Sequence, residues 1–235
     1  METLIFWGMA MCGRFTLFCS YHQLIEEFDV AEAFSEELYK ESYNIAPSQQ
    51  IVAIINDGDK NRMGFLKWGF LPSWAKDEKI ASKMINARSE TVDEKPSFKK
   101  SFYERRCIIP MDSFYEWKRE GNLKVPMRIK RKDDAVFAVA GLWNTWRSQE
   151  GEKIHTCTIL TTKANELMAP IHDRMPVILN KEQQKEWLDP HLKGREKLKS
   201  LLKPCPSEWL TAYPVSNLVN SPKNNSKELI ERVSL

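Results

Sequence analysis

Short apolar runs separated by polar turn clusters set the pattern of this chain. Residues 51–55 and 135–140 are apolar throughout, which predicts strands buried on both faces. Residues 125–131 alternate, with Val125, Met127 and Ile129 on one face and Arg128 and Lys130 on the other. Residues 156–162 are rich in β-branched side chains, as strands are. Turn signals fall at Asn56-Asp57-Gly58-Asp59, Arg119-Glu120-Gly121-Asn122, Asp133-Asp134 and Gln149-Glu150-Gly151-Glu152. Neighbouring strands joined by such turns pair antiparallel. Helical spacing is confined to residues 21–30, 96–106, 181–188 and 192–202. The expected fold class is α+β: one domain with a mostly antiparallel, barrel-like β core and a few peripheral helices.

Composition agrees with a globular chain. Of 235 residues, 42% are hydrophobic and 29% charged, which excludes a disordered or low-complexity protein. Lys plus Arg is 35 and Asp plus Glu is 32, so any basic surface has to be local. The longest apolar stretch, residues 3–13, is about half a membrane span and has no basic residue ahead of it. Neither a membrane span nor a signal peptide is expected, and a cytoplasmic location follows. The five cysteines are scattered, without a CxxC pair or a His/Cys cluster. That pattern suits reduced thiols and gives no reason to expect a metal or other cofactor. From Pro222 the chain is polar, and residues 223–235 are expected to form a surface tail.

Four residues stand in settings that suit chemistry. Cys12 follows Met11 in Met11-Cys12-Gly13-Arg14-Phe15. A chain beginning at Cys12 would carry an α-amine and a thiol two carbons apart. Such a pair attacks an aldehyde through nitrogen and closes a five-membered thiazolidine through sulfur. The plainer reading of Cys12 alone is an internal, inert cysteine. His172 lies between Pro170 and Pro176 beside Asp173 and Arg174, a stiff loop suited to proton transfer near neutrality. Glu116, between Tyr115 and Trp117, is placed for desolvation to raise its pKa; its plainer reading is a surface pair with Lys118. Asn86 offers an amide donor and acceptor, or serves as a turn residue. Each of the four has a cation two places on, namely Arg14, Arg88, Lys118 and Arg174. On extended chain, residues i and i+2 share a face, so each reactive group is expected beside a cation that can grip phosphate.

Lys67-Trp68-Gly69-Phe70-Leu71-Pro72-Ser73-Trp74-Ala75-Lys76 interleaves aromatic and basic residues. Exposed rings there would stack on unpaired bases. Trp68 and Phe70 also read as core strand residues, whereas Trp74, beyond Pro72, reads as exposed.

The ordered set of segments resembles the SOS-response-associated peptidase family, the abasic-site processing proteins. It comprises Met11-Cys12-Gly13-Arg14-Phe15, Tyr43-Asn44-Ile45-Ala46-Pro47, Trp68-Gly69-Phe70-Leu71-Pro72 and Ile85-Asn86-Ala87-Arg88-Ser89-Glu90. Cys107-Ile108-Ile109-Pro110 then leads to Phe114-Tyr115-Glu116-Trp117, followed by Ile171-His172-Asp173-Arg174-Met175-Pro176 and Pro214-Val215-Ser216. The resemblance covers residues 11–222. It implies a single, mostly β domain whose groove holds single-stranded DNA. It also implies that an N-terminal cysteine traps the aldehyde of an abasic site as a stable thiazolidine cross-link. Family roles fall on Cys12 as nucleophile, with Asn86, Glu116 and His172 around the aldehyde and Arg14, Arg88 and Arg174 on phosphates. Asn44, Pro47, Thr161 and Ser216 match groove-lining segments.

The chain departs from the family at its start, because ten residues precede Met11. With them attached, Cys12 has an amide nitrogen and cannot form a thiazolidine. Translation from Met11, removal of the extension, and an inactive long form are all compatible with the sequence. Two other readings use the same residues: a thiol protease built on Cys12, His172 and Asn86, and a non-catalytic single-strand-binding module. The expected partner is single-stranded DNA containing abasic sites, bound by a monomer.

Overall fold

Continuous apolar runs become central strands here because neighbours cover both of their faces. The structure, a computed structural model, describes residues 12–234. The expectations for the segment ahead of Met11 therefore lie outside the described residues. The strands in the first half are β1 (Phe15–Leu17), β2 (Val30–Ala33), β3 (Ser42–Ile45), β4 (Gln50–Asn56), β5 (Asn61–Trp68), β6 (Asn86–Arg88) and β7 (Arg106–Met111). They are followed by β8 (Ser113–Glu120), β9 (Leu123–Arg131), β10 (Phe137–Arg147), β11 (Lys153–Lys163), β12 (Arg174–Pro176), β13 (Ile178–Leu179) and β14 (Leu210–Pro214). Between them lie the helices α1 (Tyr21–Glu27), α2 (Pro96–Glu104), α3 (Lys181–Leu188) and α4 (Arg195–Ser200).

Strands β5, β4, β7, β10 and β11 pair antiparallel in that order. Parallel pairing of β11 with β5, through Thr156 with Lys67 and Cys157 with Trp68, closes the ring into a five-stranded barrel. Closure removes free edges from these strands. Ile51, Ile54, Cys107, Ile108, Ile109, Val139 and Ile159 on these strands are buried in the main hydrophobic core, on both faces of the barrel wall. A second sheet of β14, β9, β8, β1 and β3 lies beside it. Strands β6 and β12 flank β11, with Asn86 opposite Ile159, Arg88 opposite Thr161, and Arg174 opposite Lys163.

Sequence and structure differ at element ends. The strand expected to stop at Ala140 runs on to Arg147 through Gly141. Gly141 is a packing glycine, not a breaker: a Cβ there would lie 2.9 Å from Cys107 Sγ and 3.0 Å from Thr158 O. The helix expected over residues 21–30 ends at Glu27, because Asp29 takes a left-handed conformation (φ 47°) and Val30 opens β2. Its start is secured by a capping box between Ser20 and Gln23, and Asn180 with Gln183 does the same for α3. Helix α4 is shorter than residues 192–202 and starts after Gly194.

The polar stretch beyond Pro222 folds back on the second sheet. Leu229 is fully buried with Tyr115, Val215 and Val219, and Val215 bridges Arg232. The Tyr115 hydroxyl donates to Tyr43 O at 2.9 Å, and Asn225 Oδ1 accepts from Tyr43 N at 2.7 Å. A few apolar residues scattered through a polar segment are too weak a signal to predict this packing. Among the described residues no helix is long and apolar enough to cross a membrane.

Candidate functional site

The junction between β1, β8 and the barrel brings distant residues together. Antiparallel pairing sets Phe15 opposite Phe114, and Tyr115 N donates to Arg14 O at 2.9 Å. Just ahead of β1 the chain passes along β8, and the Cys12 backbone N–H donates to Glu116 Oε1 at 2.6 Å. Cys12 holds a left-handed backbone (φ 48°), unusual for a non-glycine residue and a feature that gathers at functional sites.

Both side chains are buried, Cys12 at 3% exposure and Glu116 at 2%. Burial pushes the Glu116 carboxyl above the usual carboxylate range, against the opposing influence of His172 and the Cys12 hydrogen bonds. Burial and the Glu116 charge raise the Cys12 thiol, while the nearby Arg174 charge pulls it down. The His172 ring is partly exposed, and its Nδ1 accepts from Arg174 N at 3.2 Å and lies 2.9 Å from Asp173 Oδ1. Cys12, Glu116, His172 and Arg174 thus form one electrostatic cluster. Asn86 stands on β6, two residues from exposed Arg88 on the same strand face.

Most of the expected cations are already engaged within the protein. Lys118 pairs with Glu120 at 2.7 Å, which takes it away from Glu116 and removes the surface-pair reading of that carboxylate. Arg174 is buried; its Nη1 and Nη2 donate to the two Glu90 oxygens at 2.6 and 2.8 Å, and Nη2 also to Thr161 O at 2.7 Å. The Arg174 hydrogen bonds hold the Glu90 carboxyl below the usual range. Arg14 Nη1 donates to Asn44 Oδ1 at 2.8 Å and to Val219 O at 2.6 Å. The buried Nε atoms of Arg14 and Arg174 have no hydrogen-bond partner among the described residues.

A groove of about 930 Å³ begins at Gly13 and Arg14, next to Cys12. Pro47, Ser48, Lys67, Trp68, Lys79, Trp117 and Asn220 line it. Gly69 (φ 132°) lets the segment over the groove pack closely, since a Cβ there would lie 3.0 Å from Ala81 O. Trp117 Nε1 donates to Asn220 Oδ1 at 2.7 Å, and Arg14 lies 6.0 Å from the Trp117 ring centroid. Trp68 is a correction to the stacking set: it is 1% exposed, with Nε1 on Ile85 O at 2.9 Å, so most of the ring belongs to the core below the groove. Trp74 is 56% exposed.

Asn44 is spoken for. Its amide nitrogen reaches Val219 O, Ser221 O and Asn224 O at 3.3, 2.9 and 2.8 Å, tying residues 219–224 to the groove edge. Ser216 caps the turn that begins this stretch, accepting from Leu218 N at 3.3 Å. Sequence reasoning left three participants without roles: Glu90, Asn220 and the backbone of Val219. Glu90 was within reach, two residues beyond Arg88 in the same segment; a backbone carbonyl leaves no sequence signal.

Comparison with known proteins places this geometry. The family model described as SOS response associated peptidase (SRAP) matches residues 11–222. Abasic site processing protein YoqW of Bacillus subtilis is 59% identical over 222 residues, covering 94% of this chain and 99% of that protein. Abasic site processing protein HMCES of Xenopus tropicalis is 31% identical, covering 84% of this chain and 68% of that protein. A crystal structure of a Bacteroides thetaiotaomicron protein superposes with a TM-score of 0.85 at 29% identity, covering 95% of this chain and all (100%) of that one. With the family model matched over most of its length, the chain belongs to the SOS response associated peptidase family.

Proposed function

We propose that this protein acts in the DNA-damage response by capturing abasic sites in single-stranded DNA as a covalent thiazolidine, through Cys12 freed of the residues ahead of it. The observation that carries this reading is the 2.6 Å contact between the Cys12 nitrogen and Glu116 Oε1. Once that nitrogen is an α-amine, its reference pKa of about 7.7–8.0 leaves it largely protonated at pH 7. A carboxylate at hydrogen-bond distance can take the proton and release the nucleophile.

The steps balance with the residues present. The amine adds to the ring-opened aldehyde, and loss of water leaves an imine. The thiol then adds across the C=N bond: sulfur bonds to carbon, and the proton goes to nitrogen. Glu116 moves protons in the first stage, and burial, by raising its pKa, makes it a better proton acceptor than an ordinary carboxylate. His172 assists at the sugar oxygen, and Asn86 orients the opened sugar. An imine acidifies the neighbouring sugar C–H and promotes loss of the 3′ phosphate, so ring closure protects the strand. Arg14, Arg88 and Arg174 engage phosphates, while Trp74 stacks on a base. The long form, with an amide at Cys12, is the inactive state of this reading.

A denaturing gel with abasic single-stranded DNA tests it. The chain beginning at Cys12 should give a heat-stable adduct; the 235-residue chain and Cys12→Ser should not. Equal cross-linking by the long and trimmed chains would rule out the thiazolidine.

A further inference from the structure

Lys199 belongs to none of the segments above, yet it reaches one of them from α4. Its ammonium donates to Ser89 O at 2.7 Å, Glu90 O at 2.8 Å and Asp93 Oδ1 at 2.8 Å. An ammonium has three donors, so all are used. The Asp93 side chain has 0% exposure and also accepts from Arg195 Nε at 2.7 Å. Burial pushes the Asp93 carboxyl up, but the bonds from Lys199 and Arg195 outweigh it and leave the pKa lowered. The turn following β6 is therefore tied down at two carbonyls and at a buried carboxylate. From this tied turn the Glu90 side chain extends to both Nη atoms of Arg174.

We infer that Lys199 is a positioning residue for the site: it fixes the turn that carries Glu90, and Glu90 fixes the orientation of Arg174 beside Cys12. Arg174 is a long side chain with several rotatable bonds. The forked bonds to Glu90, with that to the Thr161 carbonyl, hold it in one rotamer, and a phosphate contact requires that rotamer. The inference rests on the proposed contact of Arg174 with DNA.

The test is a double-mutant cycle on the full chain. The probe is a single-stranded oligonucleotide carrying a tetrahydrofuran analogue of the abasic site, which binds but cannot react. Affinity is read over a range of salt concentrations. Lys199→Met should weaken binding roughly three- to thirtyfold and flatten the salt dependence. In an Arg174→Ala background the same substitution should add nothing. Lys199→Arg should restore most of the affinity. Lys197→Met removes the same charge from the same helix at a residue paired with Glu186, and should bind as the parent does. Lys199→Gln repeats the measurement if the Met variant folds poorly. Parental binding by Lys199→Met and Lys199→Gln, or an equal loss with and without Arg174, overturns the inference. An Arg174→Ala protein that binds like the parent overturns the underlying phosphate contact as well, which separates the two failures.

Discussion

The Cys12 nitrogen and Glu116 Oε1 lie 2.6 Å apart although 104 residues separate them in the chain. The pairing of β1 with β8 sets this distance, and burial gives it chemical weight. A carboxyl at 2% exposure beside this backbone nitrogen has few water competitors.

Glu116 should show a trade between stability and activity. Burial raises its native pKa above the unfolded value of about 4.3. Above that value the native state holds a proton that the unfolded chain has released. Stability therefore falls as pH rises from about 4.3 through the raised native pKa, then levels off. Glu116→Gln removes this dependence. Its melting temperature should exceed the parent's above the raised native pKa, and the gap should close towards about pH 4. The same variant, in the chain starting at Cys12, should cross-link abasic DNA slowly while binding undamaged single strands normally. Melting curves across pH and a cross-linking time course check both halves; parental rates would remove Glu116 from the proton path.

Arg88 and Arg174 should separate binding from stability. Each alanine variant is expected to lower the salt slope of single-strand binding by about 0.7 for every phosphate it no longer neutralises. Arg88 is exposed, so Arg88→Ala should melt like the parent. Arg174→Ala breaks a buried fork on Glu90 and Thr161 and should also cost about 1–3 kcal/mol of stability. Unchanged slopes would mean that neither residue meets phosphate.

The two tryptophans should behave oppositely. Trp74→Ala should weaken single-strand binding by about 1–3 kcal/mol with stability and salt slope intact, because an exposed ring contributes through stacking. Trp68→Ala leaves a cavity under the groove and should destabilise the fold by about 3–5 kcal/mol. Fluorescence titration with an oligonucleotide and chemical denaturation distinguish these outcomes.

Asn44→Ala should act on the groove wall. It removes the acceptor for Arg14 and the donor to three carbonyls, so about 2–3 kcal/mol of stability should disappear. Amide hydrogen exchange should speed up over residues 219–225 before the barrel strands change. Unaltered exchange there would show that the packing of Leu229 and Val219 holds the segment without Asn44.

By itself the sequence determined the local elements and the chemistry at hand. Apolar runs and alternation marked β4, β9, β10 and β11, and helix α3 was delimited to the residue, because burial periodicity and caps act within a few residues. Cys12, Asn86, Glu116 and His172 stood out as candidates through their neighbours and through the family resemblance. Tertiary structure decided the partners. Closure of the barrel through parallel β5 and β11, the turning of Lys118 to Glu120, and the capture of Arg174 by Glu90 depend on contacts between remote segments. Two residues on, a cation shares a strand face, but the nearest carboxylate or carbonyl brought up by another part of the fold decides where its charge goes. The same holds for the stretch beyond Pro222. Its polar composition read as surface, while Leu229 with Ile230 and the carbonyls of Asn224 and Leu229 pack it against Tyr115 and Asn44.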